Sequence, residues 1–288
     1  MILVVGASGY TGLSVIRALA QRGASSRALI RDRAKATVVE AAGAAEIAVG
    51  DLRDVDSVER ALTGCDGIYF IGPRFMPEEA QVGRAVIEIA RRAGVRRFVY
   101  SSVYHPPIRD LLNHRVKVEI EDWLYKTDLE FTVLQPARFM HGPVLSSWSR
   151  AVSDGVYVDA FNPDRPMAYV DYDDVAEVAA LALTETTLVR GTFELSTGEY
   201  TGHDVALHIS AMLGRPVRAE QASLDDYEPA QGPAMANPYA REGFMRLRRY
   251  YNDYGFRGGN TLVLETILGR KPTDFPAFLT KLYQAPNA

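Results

Sequence analysis

The chain opens on four apolar residues in a row, 2–5 (Ile-Leu-Val-Val), which stop at Gly6. An unbroken apolar run of that length suits a strand covered on both faces, as in a parallel sheet, whereas a strand with one wet face alternates. Leu13, Ile16, Leu19 and Ala20 then recur at helical spacing up to Gly23, a residue suited to end a helix. The pattern repeats. Strands are predicted at 27–30, 46–49, 67–71, 97–101 and 131–134. Helices are predicted over the Ala-rich stretch ending at Gly43, from Asp56 or Ser57 to Leu62, over 80–93 and over 116–125. Strands alternating with helices at intervals of about 20–25 residues predict an α/β, doubly wound parallel sheet. After Pro136 the rhythm breaks, and 137–170 reads as irregular and aromatic-rich. A helix over 173–184 is expected to pack back on the sheet. From Gly191 come a strand at 192–195, a helix over 203–213 and a Tyr- and Arg-rich stretch, 239–257.

Composition narrows the function classes. The chain has 288 residues, with 32 Lys plus Arg against 36 Asp plus Glu, a net charge of −4. That excludes a nucleic-acid binder held by bulk positive charge. The single Cys, Cys65, excludes a disulfide scaffold and a thiolate metal site, and no metal is expected. It reads as a small turn residue without redox purpose. The N-terminus lacks a basic segment before its short apolar run, and no stretch reaches the ~20 apolar residues of a membrane span. The expectation is a cytoplasmic protein with no membrane partner.

Gly6-Ala7-Ser8-Gly9-Tyr10-Thr11-Gly12 lies between the first strand and the first helix. In that place Gly6 permits the tight turn, Gly9 lets backbone amides approach a pyrophosphate and Gly12 allows close helix–strand packing. The helix start then faces the phosphates. This context makes the sheet a Rossmann domain, expected over 1–155, with a smaller α/β substrate lobe over 190–288. Ser8, Tyr10 and Thr11 belong to the same cofactor-binding loop. Nineteen residues after Gly12, where an acid would select NAD and an Arg would accommodate NADP, stands Arg31-Asp32-Arg33-Ala34-Lys35. Arg31 and Lys35 are the expected holders of the extra phosphate, Asp32 faces the ribose in the opposing reading, and a solvated charged turn is the plain one. Asp51 and Leu52 are placed for the adenine, or simply cap the next helix. Ile71, Gly72 and Pro73 end a strand beside the expected diphosphate and nicotinamide ribose.

The ordered set GASGYTG, ALIRDRAK, VGDLRD, FIGP, VRRFVYSS, HRVKVEIEDWL, DLEFTVLQPARFM and VDYDDVAEVAALAL resembles the NmrA-like, atypical short-chain dehydrogenase/reductase family from residue 1 to about 215. The stretch GTFELSTGEYTGHDVALHISAMLGRPV fits that family's C-terminal lobe. The resemblance implies an NADP-binding Rossmann protein, either a reductase of small organic molecules, such as quinones, or a cofactor-sensing regulator. It assigns Ser102 to the catalytic serine and Lys117 to the lysine that bonds the nicotinamide ribose. Ser101 joins the cofactor contacts. The family tyrosine position holds Asn113, which cannot donate a proton as a phenol does, and the atypical branch commonly lacks that tyrosine.

A replacement acid is sought in His114, His105 or Tyr104, all expected near the cleft mouth, with Lys117 or water as further sources. Ser102 bonding only backbone, and His114 and Lys117 as ordinary surface groups, are the plainer alternatives. Pro136 is expected on the nicotinamide ring and Arg138 and Phe139 along the substrate cleft, Phe139 also counting among the cofactor contacts, unless this loop is plain packing. The 239–257 stretch is expected as a lobe helix whose aromatics line the pocket and whose Arg face is solvated.

The function expected is NADPH-dependent hydride transfer to a quinone-, enone- or imine-type acceptor. A non-catalytic NADP(H) sensor with a protein partner and an isomerase or epimerase retaining its cofactor are the alternatives. A homodimer is left open.

Overall fold

The computed structural model describes residues 1–230 and 232–283. Along the chain run β1 (Ile2–Val4), α1 (Tyr10–Gln21), β2 (Ser26–Ile30), α2 (Ala36–Ala41), β3 (Glu46–Val49), α3 (Val55–Leu62), β4 (Gly67–Ile71), α4 (Glu79–Arg92), β5 (Arg97–Ser101), α5 (Leu112–Tyr125) and β6 (Glu130–Pro136). After them come β7 (Arg138–Phe139), α6 (His141–Asp154), β8 (Val156–Asp159), β9 (Met167–Val170), α7 (Tyr172–Thr184), β10 (Gly191–Leu195) and β11 (Gly198–Tyr200). The chain ends with α8 (Gly202–Leu213), β12 (Arg218–Gln221), α9 (Leu224–Ala230), α10 (Pro238–Tyr254), α11 (Leu262–Leu268) and α12 (Phe275–Tyr283).

The residues form two compact units. The first comprises 1–109, 113–136 and 172–194, the second 110–112, 137–171 and 195–288. The first unit carries a seven-stranded sheet in the order β10-β6-β5-β4-β1-β2-β3, parallel from β3 through β6. Placing β1 between β2 and β4 is the Rossmann arrangement. Its inner strands are apolar on both faces because both are covered. On one face Leu3, Phe70, Phe98 and Val133 pack with Val58 and Leu62 of α3, Val86 and Ile89 of α4 and Ile120 and Leu124 of α5. α1 and α7 pack together on the sheet, joined by the Ser14 hydroxyl, which donates to Asp173 at 2.8 Å. Each fully buried Leu, Ile or Phe here contributes roughly 1.5–3 kcal/mol.

The second unit holds a three-stranded sheet, β11-β9-β7, and a parallel pair, β12-β8. The segment 137–155, expected with the sheet domain, clusters here instead. The expected irregular stretch 137–170 contains a four-turn helix, α6. Its inner face is Pro143, Val144, Ser147 and Ala151, while Leu145 and Val152 face solvent, so its apolar stripe is faint in the sequence.

α10 takes up most of the Tyr- and Arg-rich stretch, but its Arg face is not wholly solvated. Arg248 is buried, donates to the carbonyls of Ala160 and Ala222 at 2.6 Å each and lies over the Tyr227 ring. Arg138 is likewise no free cleft residue. Its guanidinium makes two 2.6 Å bonds to Asp159 and one of 2.8 Å to the Tyr169 hydroxyl, because a buried cation needs a counterion. Among the described residues no helix is long and apolar enough to cross a membrane, and no His, Cys, Asp and Glu cluster could hold a metal. Cys65 is buried, which pushes its thiol pKa up.

Candidate functional site

The carboxyl ends of β1 to β4 surround a cavity of about 460 Å³, within the range of small-molecule sites. It is lined by Gly6, Ser8, Gly9, Tyr10, Thr11 and Gly12 of the first turn, Arg31 after β2, Asp51, Leu52 and Arg53 after β3, and Ile71, Gly72, Pro73 and Met76 after β4. Gly6 has φ +68°, the left-handed region, and a Cβ there would lie 2.7 Å from Ile71 Cγ2. A Cβ on Gly12 would run into the Gly6 carbonyl oxygen and stand 2.7 Å from Ala7 Cα. Gly6 is therefore demanded by its left-handed backbone and the Ile71 side chain, and Gly12 by close backbone approach. α1 starts at Tyr10 behind Gly9 with no side chain capping it, so its first amides face the cavity end without an internal acceptor. Tyr10 stacks on Tyr172 with ring centroids 5.9 Å apart. This cradle fits the pyrophosphate of a dinucleotide: amides at a helix start and no side chain in the way.

At the adenosine end the charged lining is Arg31, Asp51 and Arg53. Asp32 is spoken for, since its carboxylate accepts from the Ala34 amide at 2.9 Å and caps the short 3₁₀ turn Arg33–Lys35. Lys35 does not line the cavity. Asp51 is gripped by Arg53: its oxygens accept from the Arg53 amide at 2.9 Å, from Nε at 3.1 Å and from Nη2 at 2.9 Å. Those hydrogen bonds hold the Asp51 pKa down at about 2. Sequence reasoning missed Arg53. The signal available was its place two residues after the acid at a strand end.

Behind the β4–β5 edge lie two buried carboxylates. Lys117, with Glu79, forms an ion pair inside the protein rather than lining the cavity. The Glu79 carboxylate packs against Gly72, so the ammonium is one side chain behind the cavity wall. Ser102 follows β5, in the strand next to Ile71 through the Ile71–Ser101 register. Its hydroxyl donates to Glu121 at 2.5 Å. Glu121 also accepts from the Gln135 amide at 3.0 and 3.1 Å and from the Tyr125 hydroxyl at 3.2 Å, and Tyr125 reaches Thr192 at 3.0 Å. Tyr100, fully buried, feels both carboxylates, and burial above all raises its pKa well beyond the ordinary phenol value. Ser101 is buried beside the Tyr69 phenol.

His114 was expected at a cleft mouth. It lies instead in the first turn of α5, fully buried, with Nδ1 3.0 Å from the His105 carbonyl oxygen. Burial pushes its pKa down to about 4, so it is neutral at pH 7 and carries no imidazolium proton to give. His105 pairs with Glu194 at 2.7 Å, and Tyr104 is buried with its ring against that of His105. Asn113 has its side-chain oxygen buried without a hydrogen-bond partner among the described residues. Pro136 ends β6 and Phe139 belongs to β7 in the second unit; neither lines the cavity.

A glycine cradle at the β1–β4 switch point, with an arginine closing β2, defines a dinucleotide-binding Rossmann protein. Residues 1–280 match the NmrA-like family, and the chain belongs to it. It is 31% identical over 233 residues to the NAD(P)H azoreductase of Xenophilus azovorans, covering 80% of each chain. It is 33% identical over 251 residues to the (4-alkanoyl-5-oxo-2,5-dihydrofuran-3-yl)methyl phosphate reductase of Streptomyces griseus, covering 85% of each. Its fold matches the NADPH-dependent quinone oxidoreductase of Escherichia coli complexed with NADPH at a TM-score of 0.80, with 22% identity over 99% of this chain and all of that one.

Proposed function

We propose that this protein reduces a small, uncharged quinone-, enone- or imine-type acceptor with NADPH. It is an NAD(P)H-dependent oxidoreductase, the activity its reductase relatives are named for. One observation carries the cofactor reading: the cavity offers glycine backbone at the helix start and Arg31 after β2, with Asp32 turned to capping its own chain. An anion on the adenosine ribose would meet a cation there rather than an acid. Bound nicotinamide would supply the hydride.

The chain's own groups do the rest. The first amides of α1, from Tyr10 onward, go to the diphosphate, while Gly6, Gly9 and Gly12 keep side chains out of its way. Leu52 offers apolar surface to the adenine, and Ile71, Gly72 and Pro73 wall the nicotinamide end. Lys117 acts through Glu79: it holds and neutralises the carboxylate that stands between its ammonium and Gly72. Ser102 is the candidate hydrogen-bond donor to the acceptor, and its proton must first turn away from Glu121. We place the reaction in the cytoplasm, with a small molecule as the partner.

Fluorescence titration with NADPH and NADH, on the natural chain and on Arg31→Ala, tests the reading. Tighter binding of NADPH, with the preference lost in the variant, is expected. Equal affinities untouched by the substitution would overturn it. A second reading, a cofactor-binding regulator without turnover, is favoured by one observation: Asn113 replaces the phenol and His114 is held neutral inside the protein. Binding of both cofactors with no reduction of any acceptor would favour that reading.

A further inference from the structure

The NADPH reading needs more than one cation at the adenosine end, because a phosphate on the ribose is close to a dianion at neutral pH. Arg31 is one. Lys35, the second by sequence spacing, lies at the end of the capped Arg33–Lys35 turn, outside the cavity lining. The lining itself holds one other cation, Arg53, reached from the loop after β3. Its guanidinium now bonds Asp51 through Nε and Nη2, with the Arg53 amide completing the grip on the same carboxylate. The charge of Arg31 also acts on Asp51, which places all three groups in one electrostatic neighbourhood.

Arg53 is mostly exposed, and among the described residues its fork bonds Asp51, with the Glu78 carboxylate acting on it by charge alone. A planar guanidinium binds phosphate oxygens in the same two-pronged way as it binds a carboxylate, and a dianion attracts it more strongly. The Arg53 amide stays on Asp51 when the fork leaves, so the carboxylate keeps a hydrogen bond while the side chain turns.

We propose that Arg53 is a specificity-determining residue for NADPH: its guanidinium exchanges Asp51 for the phosphate on the adenosine ribose and, with Arg31, forms the clamp that selects NADPH over NADH. Asp51 is the partner it exchanges, and not a free acceptor for the adenine amino group. Lys35 takes no part. This assignment rests on the NADPH reading above, so the test must tell the two apart.

The probes are 2′,5′-ADP and 5′-AMP, which differ in the ribose phosphate, titrated calorimetrically against the whole protein. They report binding without turnover. The natural chain is expected to bind 2′,5′-ADP more tightly. Arg53→Ala should weaken 2′,5′-ADP about tenfold while changing 5′-AMP less than twofold, the size of one charge-assisted contact. Lys35→Ala should change neither by more than about twofold. Asp51→Asn, which frees the fork, should leave 2′,5′-ADP binding intact or tighten it.

Unchanged 2′,5′-ADP affinity in Arg53→Ala, equal losses for both nucleotides, or the loss appearing in Lys35→Ala would each overturn the assignment to Arg53, leaving the NADPH reading in place. A natural chain that binds both nucleotides equally would overturn the NADPH reading and the assignment with it. Unaltered thermal unfolding of Arg53→Ala excludes a folding defect as the cause.

Discussion

His114 shows how burial decides what a side chain can do. In the unfolded chain an imidazole titrates near pH 6.5, whereas here burial outweighs the bond to the His105 carbonyl and lowers the value to about 4. Between those two values the unfolded state holds a proton that the folded state refuses. Stability is therefore complete above pH ~6.5 and falls as pH drops toward ~4, by about 3 kcal/mol in all. Urea unfolding of the natural chain and of His114→Asn checks this. The natural chain should lose about 2–3 kcal/mol more than the variant on going from neutral pH to pH ~4.5. Parallel losses would contradict it. The residue types at these positions were legible in the sequence, but burial was not. A His beside Asn113 in a polar stretch reads as a surface group until α5 begins two residues earlier than the contact.

At the scale of elements, α4 and α5 are tied across their buried faces by Glu79 and Lys117, with relative exposures of 1% and 9%. Removing one member of such a pair strands a charge; removing both does not. Lys117→Met alone should cost about 3–5 kcal/mol, and adding Glu79→Leu should recover part of that loss. Equilibrium unfolding of the two singles and the double measures the coupling, and a double no more stable than the Lys117 single would contradict the pairing.

The strands and helices up to Pro136 were readable because strands buried on both faces stay continuously apolar and glycines follow the ends of α1 to α4. α6 was not, since its buried stripe includes Pro143, Ser147 and Ala151, which carry little hydropathy signal. Carboxylate partners were also invisible. Glu79 and Glu121 lie 38 and 19 residues from the Lys117 and Ser102 they hold, and only the fold brings them together.

For the whole molecule, the cavity was the most legible part, because a glycine-rich turn after the first strand has a physical purpose that its spacing alone reveals. Gly6, Gly9, Gly12, Arg31, Asp51 and Gly72 all line it. Arg53 went unremarked because its importance depends on the Asp51 it faces. Beyond Pro136 the chain is less regular, and no spacing rule there points to particular residues. A protein that spends NADPH on an organic acceptor consumes the cofactor only as that acceptor is reduced. The direct measurement is NADPH oxidation with a panel of quinones, enones and azo or imine compounds, the products assayed alongside. Oxidation is expected to depend on the acceptor, to match it mole for mole and to be faster with NADPH than with NADH. Tight NADPH binding with no acceptor reduced would contradict it.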